Sequence, residues 1–229
     1  PQPLHPHRPD PALIAEQAAA WLARRDRGLT AAEQDDYVQW LTADRRVRDP
    51  EDVAELLRLL GDLSDDDLTA RGADPAWAAH LGAARRAIRV RIGGQERWIG
   101  VEDAARVRDA LGVALPVGIP EAYLEQVPDP LGDLVARYAR THGPFTSAAC
   151  AARFGLGVYV VDQALKRLGA TGRVVAGEYT PAGGPEWCDA EVLRMLRRRS
   201  LAALRREIEP VPKRVLARFL PRWQHVGSS

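Results

Sequence analysis

Tyr159, Gln163, Lys166 and Arg167 lie at steps of three and four within the segment VYVVDQALKRLGA. On a helix that spacing sets them on one face. A phenol, a carboxamide and two cations on one projecting face are groups that contact phosphate oxygens and base edges. Their chemistry would be recognition rather than bond cleavage. The alternative is a solvated face of a structural helix. A second charged set is Arg194, Arg198 and Arg205, which share a helical stripe, with Arg197, Arg199 and Arg206 widening it. Stacked guanidinium groups repel unless a phosphate or carboxylate sits among them. Here the alternative is internal pairing, with the acidic run 62–67 or with Glu207 and Glu209.

Other reactive groups are sparse. Asp162 and Glu178 are candidates for acid–base work by position only. His5 and His7 could bind a metal, but they sit in a Pro- and His-rich segment, 1–10, read as disordered. Cys150 and Cys188 belong to no Cys-x-x-Cys pair, so neither a zinc site nor a disulfide framework is expected. They read as small core residues in a reducing compartment. His142, before Gly143-Pro144, reads as a helix C-terminal residue favoured by the dipole. No Ser-His-Asp or Cys-His arrangement is suggested. No catalytic residue and no metal ligand is assigned.

The elements that must position these groups follow from caps and periodicity. Asp129 is an N-cap with Pro130 at the first helical position. Leu131, Leu134, Val135 and Tyr138 continue at helical spacing. Thr146 caps a short second helix that Gly155 ends, and its helix start could add a phosphate contact. A third helix is predicted with Val158, Val161, Leu165 and Leu168 on its apolar face. Segment 173–179 then alternates as a strand, 181–185 is a hairpin tip, and 186–188 returns. This is the helix-turn-helix plan with a β-hairpin wing, whose third helix projects. Arg173, where the wing leaves that helix, joins the candidate nucleic-acid contacts.

Segment 50–112 repeats the plan. Ser64 and Asp74-Pro75 start its second and third helices, Gly93-Gly94 is a two-residue hairpin turn, and 101–111 is a closing helix. One strand face, with Arg89, Arg91 and Arg97, reads as basic. Asp65, Asp66 and Asp67 would repel phosphate, so this unit would use its wing. Segment 113–128 is a Pro-rich connector, with Leu115, Val117, Ile119 and Tyr123 expected to pack. Segment 1–49 reads as a helical hairpin. Segment 190–229 reads as a basic helix capped by Asp189, then an amphipathic piece around Phe219 and Trp223 that invites oligomerisation. The expected class is mostly α with small β-hairpin wings: helical hairpin, tandem winged-helix units at 50–112 and 129–189, and a helical extension. With 229 residues the chain fits one large domain or two to three small modules, and 46% hydrophobic content is ordinary for a globular protein. No stretch has the length of a transmembrane span, and a first residue of Pro suggests a piece of a longer chain.

Three stretches go further: RAIRVRIGGQERWIGVEDAARVRDALGVALPVGIPEAYLE, DPLGDLVARYARTHGPFTSAACAARFGLG and EWCDAEVLRMLRRRSLAALRREIEPVP. They resemble the C-terminal region of the bacterial Lhr (large helicase-related) superfamily 2 helicases, over residues 51–224. The resemblance implies a parent that is an ATP-dependent translocase moving 3′ to 5′ on single-stranded DNA. Such proteins unwind duplexes, RNA–DNA hybrids included, and are linked to DNA repair. Their C-terminal extension is similar to AlkZ-type DNA glycosylases, and uracil-DNA glycosylase activity is associated with it. This sequence lacks a GxxxxGK[ST] phosphate loop and the Gln-x-Gln motif of the AlkZ type. ATP and Mg²⁺ are therefore expected in the motor domains of the parent and no cofactor in this piece. Expected partners are single-stranded DNA or an RNA–DNA hybrid and the helicase core of the same chain, with a second copy as a further candidate, in the cytoplasm, with no membrane. The expected function is nucleic-acid binding and scaffolding. Alternatives are part of a uracil-DNA-glycosylase-like domain, or a protein-interaction module.

Overall fold

A computed structural model of the chain describes residues 47–180 and 183–207, with side chains as far as Arg198. The expected hairpin at 1–49, His5 and His7, and the apolar piece around Phe219 and Trp223 lie outside the described residues. The chain divides into two compact units, Pro1–Arg194 and Met195–Ser229. The contacts below belong to the first.

The first winged helix begins with α1 (Pro50–Leu60), started by Asp49, whose side chain accepts from the Asp52 amide, with Pro50 at N1. Its inner face is Val53, Leu56 and Leu57. Ser64 and Asp67 form a reciprocal capping box that starts α2 (Asp65–Ala70). Asp74 and Pro75 start α3 (Pro75–Ala83). The wing is β1 (Ala87–Ile92) antiparallel to β2 (Gln95–Gly100). Gly93 and Gly94 turn it with φ of +56° and +81°, both signs that a two-residue type I′ turn needs. The closing segment is a 3₁₀ turn, Val101–Asp103, leading into α4 (Ala104–Leu111). In the connector, Leu115, Ile119 and Leu124 pack on the core. Val117 and Tyr123 do not, contrary to expectation: both are exposed, Val117 wholly so beside a left-handed Gly118.

The second winged helix comprises α5 (Pro130–Thr141), α6 (Ser147–Phe154), α7 (Val158–Ala170), β3 (Val174–Gly177) and β4 (Glu186–Asp189). Asp189 then caps α8 (Ala190–Glu207), accepting from the Glu191 and Val192 amides. The two wings differ in length, with six and four paired positions, but share the contacts at their base. Leu63 pairs with Trp98, and Phe145 with Trp187, each adding a one-residue third strand. Trp98 Nε1–H donates to Asp65 at the start of α2, and Trp187 Nε1–H to Ser147 at the start of α6. Each indole ring also packs under a glycine of the third helix. An added Cβ would come within 3.0 Å of the Trp98 ring at Gly82 and 3.3 Å of the Trp187 ring at Gly169.

The repeats are fused through the first wing. Ile88, Val90, Ile92 and Ile99 share the face of β1–β2 that packs with Leu134, Val135, Phe154, Val161 and Leu165 of the second winged helix. The helical core of the first winged helix, with Leu57, Leu68 and Leu81, meets the sheet at Ala87 and Trp98. Arg97 pairs with Val90 in the register and so shares the packed face. It is 6% exposed, whereas Arg89 and Arg91 stay outside. The strand face expected to carry all three arginines is therefore split by the pleat. Arg97 Nη1 lies 3.2 Å from both Asp62 Oδ2 and Asp67 Oδ2. Arg153, from α6, reaches Asp62 Oδ2 at 2.9 Å and donates to the Asp62 carbonyl at 2.6 Å. Asp62 Oδ2 is ion-paired without a well-aligned hydrogen bond, and burial raises its pKa against the pull of Arg153 and Arg97. Arg137 on α5 and Arg106 on α4 clamp the buried Asp103 carboxylate as a second tie.

The tip of the first wing is part of the joint. A Cβ on Gly93 would lie 2.8 Å from the Arg153 carbonyl oxygen, whereas one on Gly94 meets nothing within 4 Å. Both positions strain a side chain by φ alone. Gly94→Ala is expected to cost about 1–2 kcal/mol. Gly93→Ala should cost roughly 2–4 kcal/mol, since backbone must also move away from backbone. Urea unfolding of both variants measures the difference; equal costs would mean the tip is not pressed against α6.

Candidate nucleic-acid interface

The third helix of the second winged helix is held from one side and open on the other. Val161, Ala164, Leu165 and Leu168 are its buried stripe. Val158, expected on that stripe, is instead 50% exposed, because the first turn runs past the elements that cover the rest. With Tyr159 at 74% and Val160 at 45%, it forms an exposed apolar and aromatic turn. Gly157 precedes it as an N-cap without a side-chain acceptor, so the first amides of the helix have no side-chain cap.

Gln163 is half-buried, and Lys166 and Arg167 are exposed on the open side. Both cations are tethered. Lys166 Nζ lies 2.8 Å from Asp162 Oδ2, and Arg167 Nη2 lies 3.6 Å from Asp129 Oδ1. Asp162 also accepts from Ser147 Oγ, which in turn accepts from Trp187 Nε1. One hydrogen-bonded chain thus joins the wing, the start of α6 and the third helix. The Lys166 hydrogen bond lowers the Asp162 pKa, and Asp162 raises that of Lys166. Asp162 is therefore an ionised bracket, which is the opposite of a carboxyl poised to give up a proton near neutral pH.

The remaining candidates are spread around this helix. Thr146 caps α6, its Oγ1 accepting from the Ala149 amide at 3.1 Å. Arg173 is exposed at the start of the wing, with no side-chain partner among the described residues. Arg194 is paired with Glu191 at 2.5 Å. Arg198 is exposed, and the side chain of Arg205 lies outside the described residues. The acidic run has its own partners: Asp65 takes Arg89 and the Trp98 indole, while Asp62 and Asp67 take Arg97 and Arg153. Glu178 is exposed. Among the described residues no cluster of three or more His, Cys, Asp or Glu could hold a metal.

Sequence reasoning missed the group that braces the second wing. Glu186 is buried, and its carboxylate accepts from the Tyr179 and Thr180 amides and from the Thr180 hydroxyl, each at 2.8 Å. The available signal was a carboxylate set beside Trp187 at the start of the return strand. Cys150 is fully buried, and burial pushes its thiol up to about 12, which makes it inert.

His142 also departs from expectation. Its ring stacks on Tyr138 with centroids 3.8 Å apart, and Nδ1–H donates to the Tyr138 carbonyl at 2.8 Å. Burial lowers its pKa more than that carbonyl raises it, so the ring is neutral rather than a dipole-favoured cation. The unfolded chain then takes up this proton first, from about 6.5 downward. The stability from His142 is complete above that pH and falls as pH drops through the lower, folded value. His142→Phe keeps the stack and should flatten that part of the stability–pH curve. Thermal unfolding from pH 7.5 to 5 tests it; an unchanged slope would assign the loss to other groups.

The sequence is similar to known proteins. Residues 26–126 match the family described as "Large helicase-related protein, winged-helix domain". The chain is 54% identical over 224 residues to a protein of Mycolicibacterium smegmatis named "Lhr helicase/ probable uracil glycosylase", covering 96% of this chain and 14% of that protein. It is 39% identical over 191 residues to "Lhr helicase/uracil glycosylase" of Escherichia coli, covering 81% of this chain and 12% of that protein. The chain thus spans about one-seventh of the length of these relatives, or less.

Proposed function

Because the chain belongs to the large helicase-related family, we propose that it is a nucleic-acid-binding and scaffolding module of a 3′–5′ DNA helicase acting in cytoplasmic DNA repair. ATP and Mg²⁺ would be bound by motor domains elsewhere in the parent protein. This sequence has no phosphate loop, so no step of nucleotide hydrolysis is routed through its residues. The observation that carries the reading is the open side of α7. Tyr159 stands out beyond the last covered turn, with Gln163 and Lys166 behind it and Arg173 where the wing departs. An exposed ring offers a base a stacking platform that needs no particular sequence, and the cations follow the backbone. Single-stranded DNA, or the strand of an RNA–DNA hybrid, is the partner this suits. Among the described residues no helix is long and apolar enough to cross a membrane.

The names of both relatives mention uracil glycosylase. We place no such chemistry on Asp162, since its carboxylate is committed to Lys166 and Ser147. Asp162→Asn separates the two readings. If Asp162 only restrains Lys166, the variant frees that cation and should bind a single-stranded oligonucleotide more tightly at low salt. A loss of uracil release by the parent protein with binding unchanged would instead make Asp162 catalytic.

The binding reading is tested by fluorescence anisotropy with labelled single- and double-stranded oligonucleotides over a salt series. Micromolar or tighter binding with a steep salt slope is expected. Replacing Lys166 and Arg167 together by Ala should lower the slope by about 0.7 per lost phosphate contact on a single strand. Tyr159→Ala should weaken single-strand binding by roughly 1–3 kcal/mol with the slope unchanged. No binding at low salt would make the module a spacer or docking platform.

A further inference from the structure

The turn from α3 into β1 repeats the turn from α7 into β3. In the first, Arg85 N–H donates to the Gly82 carbonyl and Arg86 N–H to the Leu81 carbonyl. In the second, Gly172 N–H donates to Gly169 and Arg173 N–H to Leu168. The equivalent residues are Arg85 and Gly172, left-handed at φ +58° and +73°. Among the described residues, Arg85 alone is a non-glycine residue with positive φ. The fold offers a glycine position, and this chain fills it with a large cation at a cost in backbone strain.

That arginine lines a half-open cleft of about 360 Å³, at the small end of the range for ligand sites. The end of α3, the start of β1 and the connector turn at 116–120 form its walls. Arg85 and Arg89 are the charged residues among its lining, with no carboxylate. Arg89 is pre-set. Its guanidinium lies 5.2 Å over the Trp98 ring and is held by Asp65 at 2.8 Å, with Glu96 3.8 Å away. Those two acids outweigh its single charge, so the cation free to take an anion in this cleft is Arg85. Arg85 is exposed, and its side chain has no hydrogen-bond or ion-pair partner among the described residues. Pro116, Val117 and Ile119 add aliphatic walls, with Val117 fully exposed at the rim.

We propose that this cleft is a second nucleic-acid contact, in which Arg85, beside Arg89, takes a backbone phosphate while the aliphatic connector turn covers the adjoining sugar. An unpaired guanidinium at a cleft whose lining holds no carboxylate favours an anion, and a guanidinium matches phosphate geometry. The proposal rests on the nucleic-acid reading above. It assigns the first winged helix a role that its acidic α2 and docked wing tip do not provide. The bound strand would touch both winged helices.

Arg85→Gly makes the test sharp, because strain and binding move in opposite directions. Removing the strained side chain should raise the Tm of the full chain by about 2–4 °C. It should also weaken binding of a labelled 20-nucleotide thymidine strand about threefold at low salt and lower the salt slope by about 0.7. Arg85→Lys, which keeps charge and strain, should retain most of the slope. A stabilised Arg85→Gly variant with wild-type affinity and slope would overturn the cleft as a phosphate site. If Lys166 and Arg167 still mattered in the same assay, the general reading would stand. A destabilised Arg85→Gly variant would also overturn the proposal, since the side chain would then be packing rather than waiting for an anion. A wild-type chain that does not bind the strand at low salt would overturn the cleft and the reading together.

Discussion

The buried charge set at the joint of the two winged helices is the constraint on which the rest depends. Asp62 is taken out of water and is tolerable only with Arg97 from the wing and Arg153 from α6 beside it. Such a pair adds little net stability against an apolar equivalent, but removing one partner leaves a buried charge exposed to its full desolvation cost. The set therefore acts as a register lock. It fixes which face of β1–β2 meets the second winged helix while Ile88, Val90, Ile92 and Ile99 supply the apolar burial. Asp103 between Arg106 and Arg137 repeats the device at the α4–α5 contact.

That joint divides the work between two copies of one plan. The first copy turns its wing into mortar, and on its acidic second helix Asp67 is answered by the joint arginines Arg97 and Arg153 and Asp65 by Arg89. The second copy keeps its third helix open, with Tyr159 beyond the covered stripe and its cations steadied by Asp162 and Asp129. A steadied cation loses less freedom on meeting phosphate, but it arrives with part of its charge already answered.

Much of the fold could be read from local rules. Caps at Ser64, Asp74, Asp129, Thr146 and Asp189, together with Gly93-Gly94 and Gly155, act over a few residues and mark element ends directly. The three-plus-four spacing on α7 placed Lys166 and Arg167 outward for the same reason. What stayed hidden depends on residues distant in sequence. Arg97 looked like part of a basic strand face because alternation cannot say that both faces are covered. Val158 fits the apolar period yet overruns its neighbours. His142 has a favourable place for a cation, but the Tyr138 ring and burial decide its charge. The one-residue strands at Leu63 and Phe145 carry no pattern of their own. Arg85 in a glycine's conformation is visible only once the two repeats are laid side by side.

The central claim is that the joint removes the first wing tip and α2 from contact with nucleic acid and leaves the exposed side of α7 to meet it. Hydrogen exchange of the full chain, with and without a saturating single-stranded oligonucleotide, tests this directly. The account predicts added protection across the first half of α7, and none in α2 or at residues 92–95. Protection appearing in α2 and at that wing tip, with α7 unchanged, would contradict it.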